Sequence, residues 1–265
     1  MCTLLFAFEA HPAHRLVVAA NRDERYERPT RALHAWEDRP GVIAGRDLAA
    51  GGTWMGLGVG GRWAALTNVR QGPREEPTAR SRGELVADFL AGGASARTYL
   101  EAVAARGDAY NGFNLVVGDA DGLLFYSNRD GAGIRAVAPG IHGLSNATLN
   151  TPWPKVQLGK AALAERLRGR EPVDLDDLVA ILGDRRGFAD AELPDTGVGL
   201  ALERDLASLF IATPGYGTRS STALTIDRGG QARIVEHTVG PGRPRRVELV
   251  IEGAAGAAAE RRAVE

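Results

Sequence analysis

The tightest constraint on this chain lies in its first twenty-five residues. Residues 3–8 and 16–20 are two short apolar runs, separated by a turn at residues 11–14 that contains Pro12. Apolar runs of this length bounded by a turn read as strands, and two in succession read as a β-hairpin. Antiparallel pairing returns the end of the second strand, Asn21-Arg22-Asp23-Glu24, to the start of the first. There it meets Cys2, the only cysteine of the chain. Removal of an initiator methionine ahead of a small residue would leave Cys2 carrying a thiol and a free α-amine on one carbon. The thiolate is the reactive form of cysteine, and an amine titrating near ~7.7–8 can act as its base. Position alone equally fits a small, half-buried residue near a chain end, so the chemistry needs support from elsewhere in the sequence.

Composition narrows the classes. Of the 265 residues, 44% are hydrophobic and 25% charged, which is ordinary for a globular protein with a substantial core. A net charge of −1 supplies no electrostatic drive towards nucleic acid or an anionic membrane. Lys155 and Lys160 are the only lysines; the arginine excess reads as coding bias, not phosphate recognition. One cysteine excludes an internal disulfide and multi-cysteine metal sites. The apolar runs stop at Glu9 and Asn21, far short of a membrane span. The N-terminus lacks a basic, long-apolar signal segment, so a cytoplasmic location is the expectation.

Further along, residues 26–47 read as a surface excursion with short extended pieces. A glycine-rich stretch from Gly51 leads into a strand at 62–68, its spacing matching neither phosphate-loop fingerprint. A helix is predicted over 81–91, with Ser81 and Glu84 spaced as a capping box, and a second over 94–106. Strands at 113–118 and 123–127 flank a turn at 119–122, and helices follow near 155–167 and 175–182. Residues 209–212, 221–227 and 233–238 read as closing strands. His11 and His14 are expected in an exposed turn, His142 and His237 stand alone, and neither a Ser-His-Asp triad nor a metal spacing appears. Blocks of strands and helices in this order predict an α+β layered fold with mainly antiparallel sheets. A single domain over 1–252 with a frayed tail at 253–265 is expected.

Several motifs, in order, carry a resemblance. Met1-Cys2, Asn21-Arg22-Asp23-Glu24, Gly51-Gly52-Thr53-Trp54, Leu66-Thr67-Asn68, Tyr110-Asn111-Gly112-Phe113-Asn114, Leu144-Ser145-Asn146, Pro152-Trp153-Pro154-Lys155 and Gly217-Thr218-Arg219-Ser220-Ser221 together resemble the NRDE family, also called the transport and Golgi organisation 2 family. The resemblance runs from Met1 to about Ser221. It implies an N-terminal nucleophile (Ntn) hydrolase-like fold, a four-layer αββα sandwich, distantly similar to cysteine hydrolases of the choloylglycine hydrolase and penicillin acylase type. Cys2, Arg22, Asp23, Asn68, Asn146 and Arg219 are the positions that match the functional elements of those enzymes.

The implied chemistry is acyl transfer from an amide or thioester. Cys2 attacks, Arg22 favours its thiolate, Asp23 or Glu24 orients the amine, and Asn68 or Asn146 donates to the oxyanion. In those hydrolases two residues separate the Arg from the Asp, whereas Arg22 and Asp23 are adjacent. Strand neighbours point to opposite faces, so both reach Cys2 only with a bulge, and Asn21 with Asp23, or Arg22 with Glu24, are alternative pairs. The resemblance also implies haem or acyl-coenzyme A as ligands of a non-catalytic protein. Trp54 with Met55 and Trp63 would then cover the ligand, and Arg22, Arg70 or Arg219 would pair its propionates or phosphates. No cofactor is required by the hydrolase reading.

Overall fold

The structure, a computed structural model, describes residues 2–70, 72, 76, 79–169, 172–239 and 244–251. The N-terminal hairpin pairs β1 (Cys2–Phe8) with β2 (His14–Arg25) in a register running from Cys2 opposite Arg22 to Phe8 opposite Leu16. The strands that follow are β3 (Thr30–Ala35), β4 (Ile43–Asp47), β5 (Met55–Gly58), β6 (Arg62–Asn68), β7 (Phe113–Asp119), β8 (Gly122–Ser127), β9 (Arg135–Ala136) and β10 (Gly140–Leu144). The last four are β11 (Ala212–Thr213), β12 (Tyr216–Asp227), β13 (Ala232–Thr238) and β14 (Arg245–Ile251). Among the described residues five α-helices complete the set: α1 (Gly83–Ala91), α2 (Ala96–Ala104), α3 (Pro154–Arg166), α4 (Leu175–Leu182) and α5 (Leu200–Asp205).

The strands form two antiparallel sheets. One has the order β10-β1-β2-β12-β13-β14, with β11 on β12; the other runs β3 to β9 in chain order. Side-chain alternation divides the core into three apolar layers. On β1, Leu4, Phe6 and Phe8 face the second sheet, where Phe6 meets Trp63 with ring centroids 6.0 Å apart. Leu5 and Ala7 point the other way, onto Leu163 of α3 and Leu178 of α4. The outer face of the second sheet packs Leu115 and Phe113 against Phe89 of α1 and Leu100 of α2. Layer order is therefore αββα. It explains why the hairpin reads as unbroken apolar runs: both faces of its strands are covered. Gly159 lets α3 lie close to β1, because a Cβ there would come within 2.6 Å of Leu5 Cδ1.

Local chemistry sets most helix starts. Ser95 Oγ accepts the N–H of Thr98 at the head of α2, and the Asp174 carboxylate accepts the N–H groups of Asp176 and Asp177 at the head of α4. Pro154 opens α3 at the one turn where a missing N–H costs nothing. At α1 the capping box expected from Ser81 does not form. The helix begins at Gly83, Ser81 contributes its backbone carbonyl, and Glu84 instead accepts from the Tyr110 hydroxyl at 2.5 Å.

Other expectations change with tertiary context. Residues 26–47 are an integral part of a sheet, since β3 and β4 build its edge. The expected strand at 209–212 is mostly a connector, because the N–H of Ile211 is bonded to the Thr218 hydroxyl. His11 and His14 are buried, not exposed. Their rings stack 5.2 Å apart and His14 Nε2 accepts the N–H of Val173, and burial lowers the pKa of both. The tail at 253–265 lies outside the described residues. Among the described residues no helix is long and apolar enough to cross a membrane.

Candidate functional site

The site forms where β2 outlasts its apolar run. Continuing the alternation, Asn21 and Asp23 face the helix layer while Arg22 faces the second sheet. Asn21 is fully engaged there: its amide donates to the carbonyls of Leu182 and Leu209 at 2.9 Å each, and it accepts from Ser221 Oγ at 2.6 Å. Arg22 lies with its guanidinium 4.5 Å from the centre of the Trp54 ring and donates to Thr30 Oγ1 at 3.2 Å. Glu24 sits 3.7 Å from the same guanidinium, half-buried. Gly45 makes room for the indole, since a Cβ there would strike Trp54 at 2.3 Å.

A bulge is present, on the neighbouring strand. Thr218 of β12 pairs with Asp23 and Ser220 with Arg22, so Arg219 is the extra residue. Its side chain turns away and donates to the carbonyls of Arg25 and Arg28 at 2.8 and 3.0 Å. Thr218 Oγ1 donates to Asp23 Oδ1 at 2.8 Å. β1 starts at Cys2, opposite Arg22, so β2 runs on to Arg25 without it, and Arg22 and Asp23 both reach one cavity of about 960 Å³ from opposite faces of the strand. Cys2, Glu24, Trp54, Asn68 and Arg70 line the same cavity.

Asn146 stands behind that wall. Its amide donates to the Asn68 carbonyl at 2.9 Å, and its own carbonyl accepts the N–H of Arg70 at 2.7 Å. Thr67 Oγ1 donates to the Ser145 carbonyl at 2.6 Å, and the Asn114 amide to the Ala147 carbonyl at 2.6 Å. These bonds tie the second sheet to the segment that follows β10 of the first sheet. Asn146 thus positions Asn68 and Arg70, while Asn68 is the asparagine at the cavity.

The electrostatics are those of a half-buried thiol over buried charges. Burial pushes the Cys2 thiol up; the Asp23 carboxylate adds to this, while the Arg22 guanidinium and a hydrogen bond from the Asp23 backbone oppose it. Burial also raises Asp23, opposed by Lys155, the Thr218 hydroxyl and Arg70. Lys155 is pulled down to about 8 by burial, against the attraction of Asp23. Arg70 and Glu203 form a buried pair at 2.5 Å, and Arg70 also lies 4.9 Å from the Trp153 ring centre. The Tyr216 hydroxyl donates to the Asp23 carbonyl at 3.1 Å, and burial raises its pKa.

Lys155, Glu203 and Tyr216 are the members that the sequence reading passed over as site residues. Lys155 had a signal, being one of two lysines and inside a recognisable motif. Glu203 and Tyr216 had none, because their partners are 133 and 193 residues away. Among the described residues no three or more of His, Cys, Asp and Glu gather as a metal site.

Two antiparallel sheets lie between helix layers, with a cysteine opening the first strand at a cavity, and define an αββα sandwich. The model of the family described as Transport and Golgi organisation 2 matches residues 1–241, and the chain belongs to that family. It is 41% identical to the Transport and Golgi organization protein 2 homolog of Bos taurus, over 90% of this chain and 93% of that protein. Two solved structures are similar to it. One is a Caenorhabditis elegans ortholog of N-acylethanolamine-hydrolyzing acid amidase, with a TM-score of 0.48 and 12% identity over 84% of this chain and 92% of that one. The other is the C2A mutant of a Clostridium perfringens conjugated bile acid hydrolase, with a TM-score of 0.46 and 11% identity over 100% of this chain and 97% of that one.

Proposed function

We propose that the cavity carries out acyl transfer from a small amide or thioester substrate, to water or to a second acceptor, with Cys2 as nucleophile. One observation carries the reading: Cys2, Arg22 and Asp23 reach the same cavity although Arg22 and Asp23 lie on opposite faces of β2. Once Met1 is removed, the α-amine of Cys2 takes the thiol proton, directly or through a water. The thiolate adds to the substrate carbonyl, and the tetrahedral oxyanion collapses by expelling the amine or thiol, which leaves with the proton. An acyl-thioester on Cys2 remains, and the acceptor releases it. A thiol whose pKa is raised by burial is a poor nucleophile at rest, so the amine is the partner that this scheme requires. Asp23 accepts from the amine, Arg22 offsets the thiolate charge, and Asn68 is the donor facing the oxyanion.

The test is intact-mass analysis with iodoacetamide and a panel of acyl amides and thioesters. The expected result is a chain that starts at Cys2, a single alkylated site that also blocks turnover, and no turnover by Cys2→Ala. Undiminished turnover by Cys2→Ala would end the proposal.

The second reading is binding without chemistry, of haem or acyl-coenzyme A, and the stacked Arg22–Trp54 pair favours it. A cation 4.5 Å from the centre of an indole ring suits a ligand with an anionic group and a planar or apolar body. Cytoplasmic residence fits both readings. A haem titration followed by absorbance separates them: binding requires a Soret shift, lost in Arg22→Met.

A further inference from the structure

The cavity runs past Cys2 and Asn68 to an end that the acyl-transfer scheme does not use. Among the described residues its wall holds seven arginines against the four carboxylates of Asp23, Glu24, Asp47 and Glu76. The whole chain carries a net charge of −1, so the excess is local to the cavity. Most of these arginines are matched. Arg22 has Glu24 at 3.7 Å, Arg28 has Asp47 at 2.7 Å, Arg70 has Glu203 at 2.5 Å and Arg80 has Glu84 at 2.7 Å.

Arg129 is not matched. Its guanidinium donates to the carbonyls of Asn128 and Tyr110 at 3.0 and 3.3 Å, and no carboxylate among the described residues forms an ion pair with it. The adjacent Asp130 is committed to Arg135 and to the Thr148 hydroxyl. Neutral carbonyls occupy part of the donor fork and leave the charge uncompensated. A second guanidinium converges on the same turn. Arg82 Nη1 donates to the Gly112 carbonyl at 3.1 Å. The Arg129 stem lies across Gly112, where a Cβ would come within 3.3 Å of its Cγ and 3.6 Å of its Nε. Two like charges on one turn raise each other's energy, and an anion between them reverses the sign. The opposing charge at this end is Glu76, exposed and held to the Asn111 side chain through its backbone N–H and carbonyl.

Position ties this end to the reaction. Asn68 pairs with Phe113, and the next residue, Val69, donates its N–H to the Gly112 carbonyl at 2.9 Å. Gly112 thus stands one strand step, about 3.3 Å, beyond the asparagine assigned to the oxyanion. We propose that the Gly112 end of the cavity binds an oxyanion, a phosphate or carboxylate of the substrate, through Arg129 and Arg82. The proposal rests on the acyl-transfer reading and names its substrate class: a small amide or thioester that carries negative charge a few bonds from the scissile carbonyl. Arginine suits the task, since its planar fork can hold two oxygens of one anion.

The test is an NMR titration of the full ¹⁵N-labelled chain with inorganic phosphate and, separately, with succinate. The arginine Nε–H resonance that is missing in Arg129→Gln identifies Arg129, and Arg166→Gln identifies Arg166, an exposed arginine on α3. The expected result is a saturable shift of the Arg129 resonance with at least one of the two anions, while Arg166 stays still. Phosphate alone assigns the subsite to phosphoryl groups, and succinate extends it to carboxylates. Read at the Gly112 amide, affinity should fall about tenfold or more in Arg129→Gln. Arg129 is exposed, so its truncation spares the fold. No saturable shift with either anion overturns the proposal, as does an affinity that Arg129→Gln leaves unchanged. The readout needs no turnover. Anion binding in a protein whose Cys2→Ala form retains full activity would retire the nucleophile and leave the subsite standing. No binding in a protein that Cys2→Ala inactivates would do the reverse.

Discussion

Arg22 and Asp23 are adjacent on β2 and meet different surroundings. Arg22 points between the sheets, lies on the Trp54 ring, has Glu24 at 3.7 Å and borders the open cavity. Asp23 points under the sheet, on the side of the buried Lys155 and Glu203, although it and Arg70 also touch the cavity wall. Arg22 itself is as buried as Arg70, but its partner Glu24 keeps 27% of its side chain exposed, so solvent screens that ion pair. The second group sits at low dielectric, where each charge depends on every other. The contrast teaches that the two flanks of the nucleophile are built for different tolerances: an adaptable ligand-facing side and an unforgiving supporting side.

The sharpest way to break this comparison is Glu203→Gln. It leaves Arg70 buried without its counter-charge, and the expected loss of stability in urea unfolding is about 3–5 kcal/mol. A loss below about 1 kcal/mol would place the pair with ordinary surface ion pairs and erase the contrast.

Next comes Glu236, a buried carboxyl on the inter-sheet side that accepts the N–H of Leu33 at 2.8 Å. Burial pushes it up to about 7, against the nearby Arg22 charge. A carboxyl raised in the folded state favours folding when protonated. Its contribution is complete below the unfolded value near 4.5 and is lost as pH rises through about 7. The swing is on the order of 3 kcal/mol, and Glu236→Gln should flatten it. Stability that rises over that window in the wild type, or a slope unchanged in the variant, would contradict this.

Arg22→Met should have the smallest effect. It removes the indole contact and a weak ion pair, costing about 0.5–2 kcal/mol, with the midpoint of thermal unfolding as the check. A cost as large as that of Glu203→Gln would show that the inter-sheet side is no more tolerant than the other.

Much of the scaffold was legible because it depends on local pattern. The hairpin, the strand pair at 113–127, and α3 and α4 announce themselves by apolar period, turn residues and caps. The place of Cys2 beside Arg22 followed from antiparallel pairing alone. What stayed hidden depends on distant partners. Ser81 looked like a cap, yet Tyr110 competes for Glu84 from 26 residues away. His11 and His14 looked exposed because nothing near them in sequence shows that Val173 will donate to His14. At the site, the adjacency of Arg22 and Asp23 looked like a conflict because strand alternation sends neighbours to opposite faces. β2 outruns β1, which begins opposite Arg22, and both of its faces border the cavity there. Sequence reasoning made a bulge the condition for both residues to face Cys2; the bulge present lies across the ladder at Arg219, where only the fold brings β12 alongside.

The bonds that join Thr67 to Ser145, Asn114 to Ala147 and Asn146 to Asn68 have a mechanical consequence. They link the second sheet to the segment that follows β10 of the first, beside the cavity, and directional bonds resist shear and separation in a way that greasy contacts do not. Together with the Leu33–Glu236 and Arg22–Thr30 bonds, which run between the sheets, they tie the two layers and limit how far the aperture of the cavity can widen. A molecule that enters must adapt to that aperture by bending its own rotatable bonds.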